Sequence, residues 1–168
     1  AVDALREEAD AFARKGETPV YIAVNGSLSG IVSVADQLKP NAKDAVRELK
    51  QMGIRTVLLT GDNERTADTI GGLLEVDEVI ANVLPEGKAK VINDIKSSGK
   101  KVLMVGDGIN DSPALAAADV GLAIGSGSDI AIETADVVLM KSDIQDVPRA
   151  IRLSKKTIRN IKQNLFWA

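Results

Sequence analysis

The 168-residue sequence contains no cysteine and no histidine. That removes disulfides, thiolate nucleophiles, imidazole bases, Ser-His-Asp triads and every cysteine- or histidine-ligated zinc or haem site. Any chemistry must then run on carboxylates, lysines, hydroxyls and backbone amides. Aromatic residues make up only 2% of the chain, no long basic run occurs, and the net charge is −3. A nucleic-acid grip built from a basic patch and stacking rings is excluded on those grounds. No run of about 18 apolar residues reads as a membrane span, and the first residues lack the basic start and apolar core of a signal peptide. What is present, 45% hydrophobic and 27% charged residues, is the balance of a soluble globular protein of one or two domains.

Val2, Leu5, Ala9 and Phe12 recur at three-to-four spacing and predict an amphipathic helix over residues 1–15, ended by Gly16. Alternation at Val20, Ile22 and Val24, the turn pair Asn25-Gly26 and a second run at 28–34 predict a hairpin. From Pro40 the pattern changes. Pro40 opens a helix whose apolar face is Ala45, Val46, Leu49 and Met52, Gly53 stops it, and residues 54–59, apolar at Ile54, Val57, Leu58 and Leu59, suit a buried parallel strand. The alternation continues with helices at 65–74, from Pro85, from Ser112 and near Ile130, and with strands at 78–81, 102–105, 120–124 and 137–140. This order predicts parallel crossover units in one open α/β sheet over residues 35–150, without internal repeats and with a hinge near residues 35–40. Residues 144–166 carry Ile151, Ile158, Ile161 and Leu165 on a helical period beside Arg149, Arg152, Lys155, Lys156, Arg159 and Lys162, a long amphipathic helix with a basic face.

Ligands of open α/β sheets sit beyond the carboxyl ends of the strands. Two such places are rich: Thr60-Gly61-Asp62-Asn63 after one strand, and Gly106-Asp107-Gly108-Ile109-Asn110-Asp111 after another. The second puts two carboxylates and an amide in one tight turn. Its donors are all hard oxygens, which suits magnesium held by one or two carboxylates plus a substrate phosphate. Thr60 and the amides after it can bind that phosphate, and Lys88 can add positive charge. Taken singly, Thr-Gly-Asp is more often a turn with a helix cap at Asp62, Asp-Gly is a common turn dipeptide, and a lone lysine is a solvated one. Two polar clusters ending two buried strands are what turns alone would not require, and they favour phosphate chemistry with magnesium.

These residues resemble a known family. Thr60-Gly61-Asp62-Asn63, Leu84-Pro85-Glu86-Gly87-Lys88 and the run from Met104 through Gly106-Asp107-Gly108-Ile109-Asn110-Asp111-Ser112-Pro113 to Leu115 are similar to the phosphorylation domain of P-type cation-transporting ATPases, within the haloacid dehalogenase superfamily. The segments at 123–129 and 161–168 resemble the heavy-metal branch, particularly its copper(I) exporters. The resemblance implies a haloacid-dehalogenase-like, Rossmannoid three-layer α/β fold with a parallel sheet. It implies Asp107 and Asp111 as magnesium ligands with Asn110 completing the site, Thr60 bonded to the phosphoryl group, and Lys88 neutralising its charge. Gly61 and Asp62 would line the pocket, Asp62 meeting the nucleotide, with Asp36 and Pro40 at a hinge. By the same resemblance residues 1–34 would close the nucleotide-binding domain, 35–150 would be the phosphorylation domain, and 151–168 a stalk helix leading to a membrane segment. ATP and magnesium would be the cofactors of the full-length protein. The partners would be the nucleotide-binding, actuator and transmembrane domains of the same polypeptide, on the cytoplasmic face of a membrane, and the transported ion would not be bound by this chain.

The sequence departs from the family pattern in one respect. The family's nucleophile is the Asp of an Asp-Lys-Thr-Gly-Thr segment, which is absent from these 168 residues. The sheet is therefore expected to be incomplete and the chain alone inactive. A free-standing phosphatase of the same fold and a non-catalytic regulatory module are the alternatives. The basic helix face is expected either to meet anionic lipid or simply to be solvated. Phe166 and Trp167 are expected to be either an interfacial anchor or apolar residues left bare. Met52, Met104 and Met140 are assigned to core packing rather than to copper ligation.

Overall fold

The computed structural model describes residues 5–15, 17–34, 38–106, 109–125 and 133–167. The elements run α1 Arg6–Arg14, β1 Thr18–Val24, β2 Ser27–Val34, α2 Ala42–Gln51, β3 Val57–Leu59, α3 Glu64–Leu74, β4 Glu78–Ile80 and α4 Pro85–Ser97. They continue with β5 Leu103–Gly106, a 3-10 turn Ile109–Asp111, α5 Ser112–Ala117, β6 Val120–Ile124, β7 Val137–Leu139 and α6 Asp146–Trp167. The mixed α/β class and the parallel strands are as expected. The helix predicted near Ile130 and the hinge residue Asp36 lie outside the described residues.

The chain divides into two compact units. The first comprises residues 1–38 and 55–87. In it β1 and β2 pair antiparallel around Asn25 and Gly26, whose φ angles of 52° and 77° are those of the tight turn that Asn-Gly supplies. β3 and β4 pair parallel, and Ala9 and Ala13 of α1 and Ala67 and Leu74 of α3 are buried. The second unit comprises residues 39–54 and 88–168. Its ladder has the order β5-β6-β7, all parallel. Leu122, Ile124 and Val147 form its core, with Leu49, Leu103, Val105, Leu139, Ile144 and Ile151 packed around them. β6 is buried from Gly121 to Ile124 because it has a partner strand on both edges.

Three expectations are corrected here. The single open sheet is resolved as a pair and a trio of strands; β3 is only Val57–Leu59, with Val57 exposed, because among the described residues it pairs with β4 alone. Pro40 does not open α2, which starts at Ala42: Asn41 before it is left-handed at φ 66° and so cannot belong to the helix. Met140 is not in the core but 82% exposed, one residue beyond the end of β7; Met104 is buried as expected.

A device absent from the sequence reading recurs at the amino ends of the parallel strands. Asp77, just before β4, accepts the Thr56 N–H at 2.8 Å while its own N–H donates to the Thr56 carbonyl at 3.0 Å. Asp119, before β6, does the same to Val102 at 2.9 and 3.0 Å, and Asp136, before β7, to Gly121 at 2.8 and 2.9 Å. Each carboxylate captures a backbone N–H of the neighbouring chain. The short tripeptides Ala118-Asp119-Val120 and Ala135-Asp136-Val137 are the sequence trace of this repeat.

The Lys101 ammonium at 2.9 Å, and then the Val102 N–H, hold the Asp119 carboxyl below its ordinary range. Asp119→Asn is therefore expected to unfold at lower urea than wild type at neutral pH. The stabilisation is present above the unfolded-state pKa near ~3.9 and disappears as pH falls through the lower folded value. Wild-type and variant midpoints should differ at pH 7 and converge once the pH falls below the lowered folded value, and a gap that stays constant with pH would remove the carboxylate from this role.

Candidate active site

The segment after β3 is fastened before any ligand arrives. Thr60 N–H donates to the Ile80 carbonyl at 3.0 Å, Val83 N–H to the Thr60 carbonyl at 3.0 Å, and Asn82 N–H to the Asp62 carbonyl at 2.8 Å, so the turn is tied to the end of β4. Within it the Thr60 hydroxyl donates to Asp62 Oδ2 at 2.8 Å and accepts the Asp62 N–H at 3.1 Å. The helix cap that a bare Thr-Gly-Asp turn would place at Asp62 is made by Asn63, whose Oδ1 accepts the Thr66 N–H at 3.1 Å. Asp62 is thereby free of capping duty and its carboxylate faces the threonine hydroxyl. Gly61 is exposed between them.

The second unit holds a second pair. Lys88, in the first turns of α4, reaches Asp111 Oδ1 at 2.7 Å, with the two side chains only 16% and 15% exposed. Asp111 ends the 3-10 turn and leads directly into α5, with Pro113 in that helix's first turn. The adjacent Ser112 hydroxyl is buried and has no hydrogen-bond partner among the described residues, while Asn110 is exposed. Asp107 lies outside the described residues, and among the described residues no three carboxylates gather as a metal cage. The structure thus brings Thr60 to Asp62 and Lys88 to Asp111, one pair in each unit.

Residues 1–119 match the profile of the haloacid dehalogenase-like hydrolases. The chain belongs to this family. Among the relatives of this haloacid dehalogenase-like hydrolase, copper-transporting ATPase 1 of Rhizobium meliloti (strain 1021) is 52% identical over 161 residues, 96% of the chain and 20% of the relative. The copper-exporting P-type ATPase of Staphylococcus aureus (strain MRSA252) is 54% identical over 157 residues, 94% of the chain and 20% of the relative. The crystal structure of a zinc-transporting PIB-type ATPase in its E2.Pi state superimposes with a TM-score of 0.79 at 39% identity, over 98% of the chain and 27% of that protein. The chain thus spans about a fifth of the length of these curated P-type ATPase relatives.

The donors of this chain fit magnesium and phosphate rather than a soft metal. Asp111 offers a hard carboxylate oxygen, the Ser112 hydroxyl beside it is buried and unpaired, and Lys88 is a compact cation suited to a phosphoryl oxygen. The placement of Asp111 depends on Gly106, the last residue of β5. A Cβ at position 106 would lie 2.7 Å from the Asp111 Cβ and 2.9 Å from its Oδ2, closer than packed atoms come. The sequence places that glycine in a turn, but what requires it is close approach rather than backbone freedom. The signal that could have found it is its place at the junction of a strand and an acidic turn.

Gly106→Ala is accordingly expected to destabilise the chain by about 1–3 kcal/mol through overpacking, measured by denaturant unfolding. Asn63→Ala should cost about 1 kcal/mol through loss of the α3 cap. Asp62→Ala should leave that cap intact, and an Asp62→Ala loss as large as that of Asn63→Ala would contradict the assignment of the cap to Asn63.

Proposed function

We propose that this chain is the magnesium- and phosphate-handling part of an ATP-driven heavy-metal exporter, of copper(I) type, whose intact form makes and hydrolyses an aspartyl-phosphate. The observation that carries the reading is identity above 50% to copper-transporting and copper-exporting ATPases over nearly all of the chain. The two polar pairs support it, since each sits just past the carboxyl end of a parallel strand. Residues 1–34, 35–150 and 151–168 are then the end of the nucleotide-binding domain, the phosphorylation domain and the stalk helix.

Asp107 and Asp111 would hold magnesium, with Asn110 beside them. Magnesium, when bound, supplies positive charge against the transferred phosphoryl group, where most catalysis of this reaction resides. Lys88, now spent on Asp111, exchanges that carboxylate for a phosphoryl oxygen and neutralises its charge. The Thr60 hydroxyl, now donated to Asp62, turns to a phosphoryl oxygen, and Gly61 leaves the approach unobstructed. Asp62 is then released to meet the nucleotide. The nucleophilic Asp comes from elsewhere in the polypeptide; among the described residues β5 has a strand partner on one edge only, so its ladder can accept a further strand. The exporter's cargo calls for soft donors, and a chain without cysteine or histidine leaves that task to the membrane part of the protein.

Calorimetric titration of the chain with magnesium is expected to show binding that weakens about tenfold or more in Asp111→Asn and Asp107→Asn, with Lys88→Met weakening a phosphate analogue instead. Identical magnesium isotherms for wild type and both aspartate variants would sink the site. With labelled ATP the chain alone should form no acid-stable, hydroxylamine-sensitive acyl-phosphate. The polypeptide carrying the Asp-Lys-Thr-Gly-Thr segment should form one, with turnover stimulated by copper(I) above zinc or cadmium.

A further inference from the structure

The first compact unit joins residues 1–38 to residues 55–87, so it draws on both the segment read as the end of the nucleotide-binding domain and the segment read as phosphorylation domain. α1 lies against α3 and against the β1–β2 hairpin, and Ala9 and Ala13 of α1 and Thr66 and Ala67 of α3 are buried. Two polar contacts tie the segments together. Arg65, in the first turn of α3, forms an ion pair with Asp10 of α1. Thr66, the next residue, is 1% exposed; its hydroxyl accepts from the Asn63 amide at 3.0 Å and donates to the carbonyl of Glu17, between α1 and β1, at 3.5 Å. Asn63 follows Asp62 in the chain, and the Asn82 N–H holds the Asp62 carbonyl at 2.8 Å. The join between the two segments therefore begins at the Thr60–Asp62 turn.

The join is fastened but not filled. An open groove of about 430 Å³ runs along it, lined by Pro19 and Tyr21 from one segment and by Asn63, Arg65 and Asn82 from the other. The Arg65 and Asp10 side chains remain 60% and 43% exposed, and a pair so exposed is worth no more than about fivefold in an equilibrium and weakens with salt. An ion pair of this kind beside a groove is a fastening that opens at small cost. We infer that Arg65 is a positioning residue: its ion pair with Asp10 is a latch that holds residues 1–34 shut on the Thr60–Asp62 turn and so sets the nucleotide against Asp62. This role rests on reading residues 1–34 as the end of the nucleotide-binding domain. Hydrolysis of an acyl-phosphate needs no nucleotide, so the latch acts on phosphoryl transfer from ATP and not on the hydrolysis that follows.

Tyr21 is the sole tyrosine of the chain and lines the groove, so its ring signals in proton NMR report on the join in the 168-residue chain. Arg65→Glu and Asp10→Arg should each displace those signals, the swap Asp10→Arg/Arg65→Asp should return them, and rising salt should move the wild-type signals toward the single-variant positions. In the polypeptide carrying the Asp-Lys-Thr-Gly-Thr segment, acyl-phosphate formation is followed against ATP concentration and its hydrolysis after an ATP chase. Each single reversal should raise the half-saturating ATP concentration about threefold or more and leave the hydrolysis rate unchanged, and the swap should restore the wild-type value. Tyr21 signals indifferent to both reversals, a swap that rescues neither readout, or an equal loss in formation and hydrolysis would each overturn the latch. A wild-type polypeptide that forms no acyl-phosphate would overturn the transport reading and the positioning role with it, while the Tyr21 signals would still decide whether the pair fastens the join.

Discussion

Among the described residues every parallel strand pair begins at an aspartate that holds its neighbour by two bonds, carboxylate to N–H and N–H to carbonyl. Parallel ladders are slanted and slightly less stable per residue than antiparallel ones, and strands of three to five residues have few bonds with which to fix their register. A slip of one residue would turn every side chain to the opposite face. The aspartates fix the amino ends, and because the strands are short the carboxyl ends are fixed with them. The positions of Thr60 after β3 and of the acidic turn after β5 follow from that registration within each unit.

Once the strand ends are set, polar chemistry is concentrated in two compact pairs. In one, a threonine hydroxyl is held by an aspartate two residues on; in the other, a lysine and an aspartate from different elements meet with little exposure. Neither pair looks like a device for stability. A largely buried ion pair carries a desolvation cost that its attraction only partly offsets, and a buried hydroxyl left without a partner at Ser112 adds to it. Such local expense fits groups kept for a ligand. Relatives named for copper and a solved structure named for zinc share the frame, and the chain has no cysteine or histidine with which to tell the two ions apart.

Much of this was legible in the sequence, and for identifiable reasons. β6 was read to the residue because a central strand is continuously apolar, the hairpin because Asn-Gly encodes its own turn, and α4 because proline starts it. Lys88 and Asp111 were each legible as candidate site residues, but their pairing was not, because a contact between residues 23 positions apart is set by packing. Other features depended on competition that composition does not display. Asn63 rather than Asp62 became the cap because Asp62 is held by Thr60. Met140 left the core because β7 stops at Leu139. The aspartate clasps were hidden in dipeptides that look like ordinary strand borders, and Gly106 was visible as a glycine but not as the space Asp111 occupies.

The helix α6 is fixed at its root by Val147, Pro148 and the Arg152–Glu48 pair, and by little beyond them. Residues 152–167, exposed throughout, extend from that root as an arm about 24 Å long at 1.5 Å per residue. Each degree by which the root tilts on its unit moves the aromatic tip by about 0.4 Å. A repacking of the core around Val147 too small to disturb any strand is thus multiplied along the arm, and a load at Phe166 and Trp167 returns to the same buried residues with the same mechanical advantage.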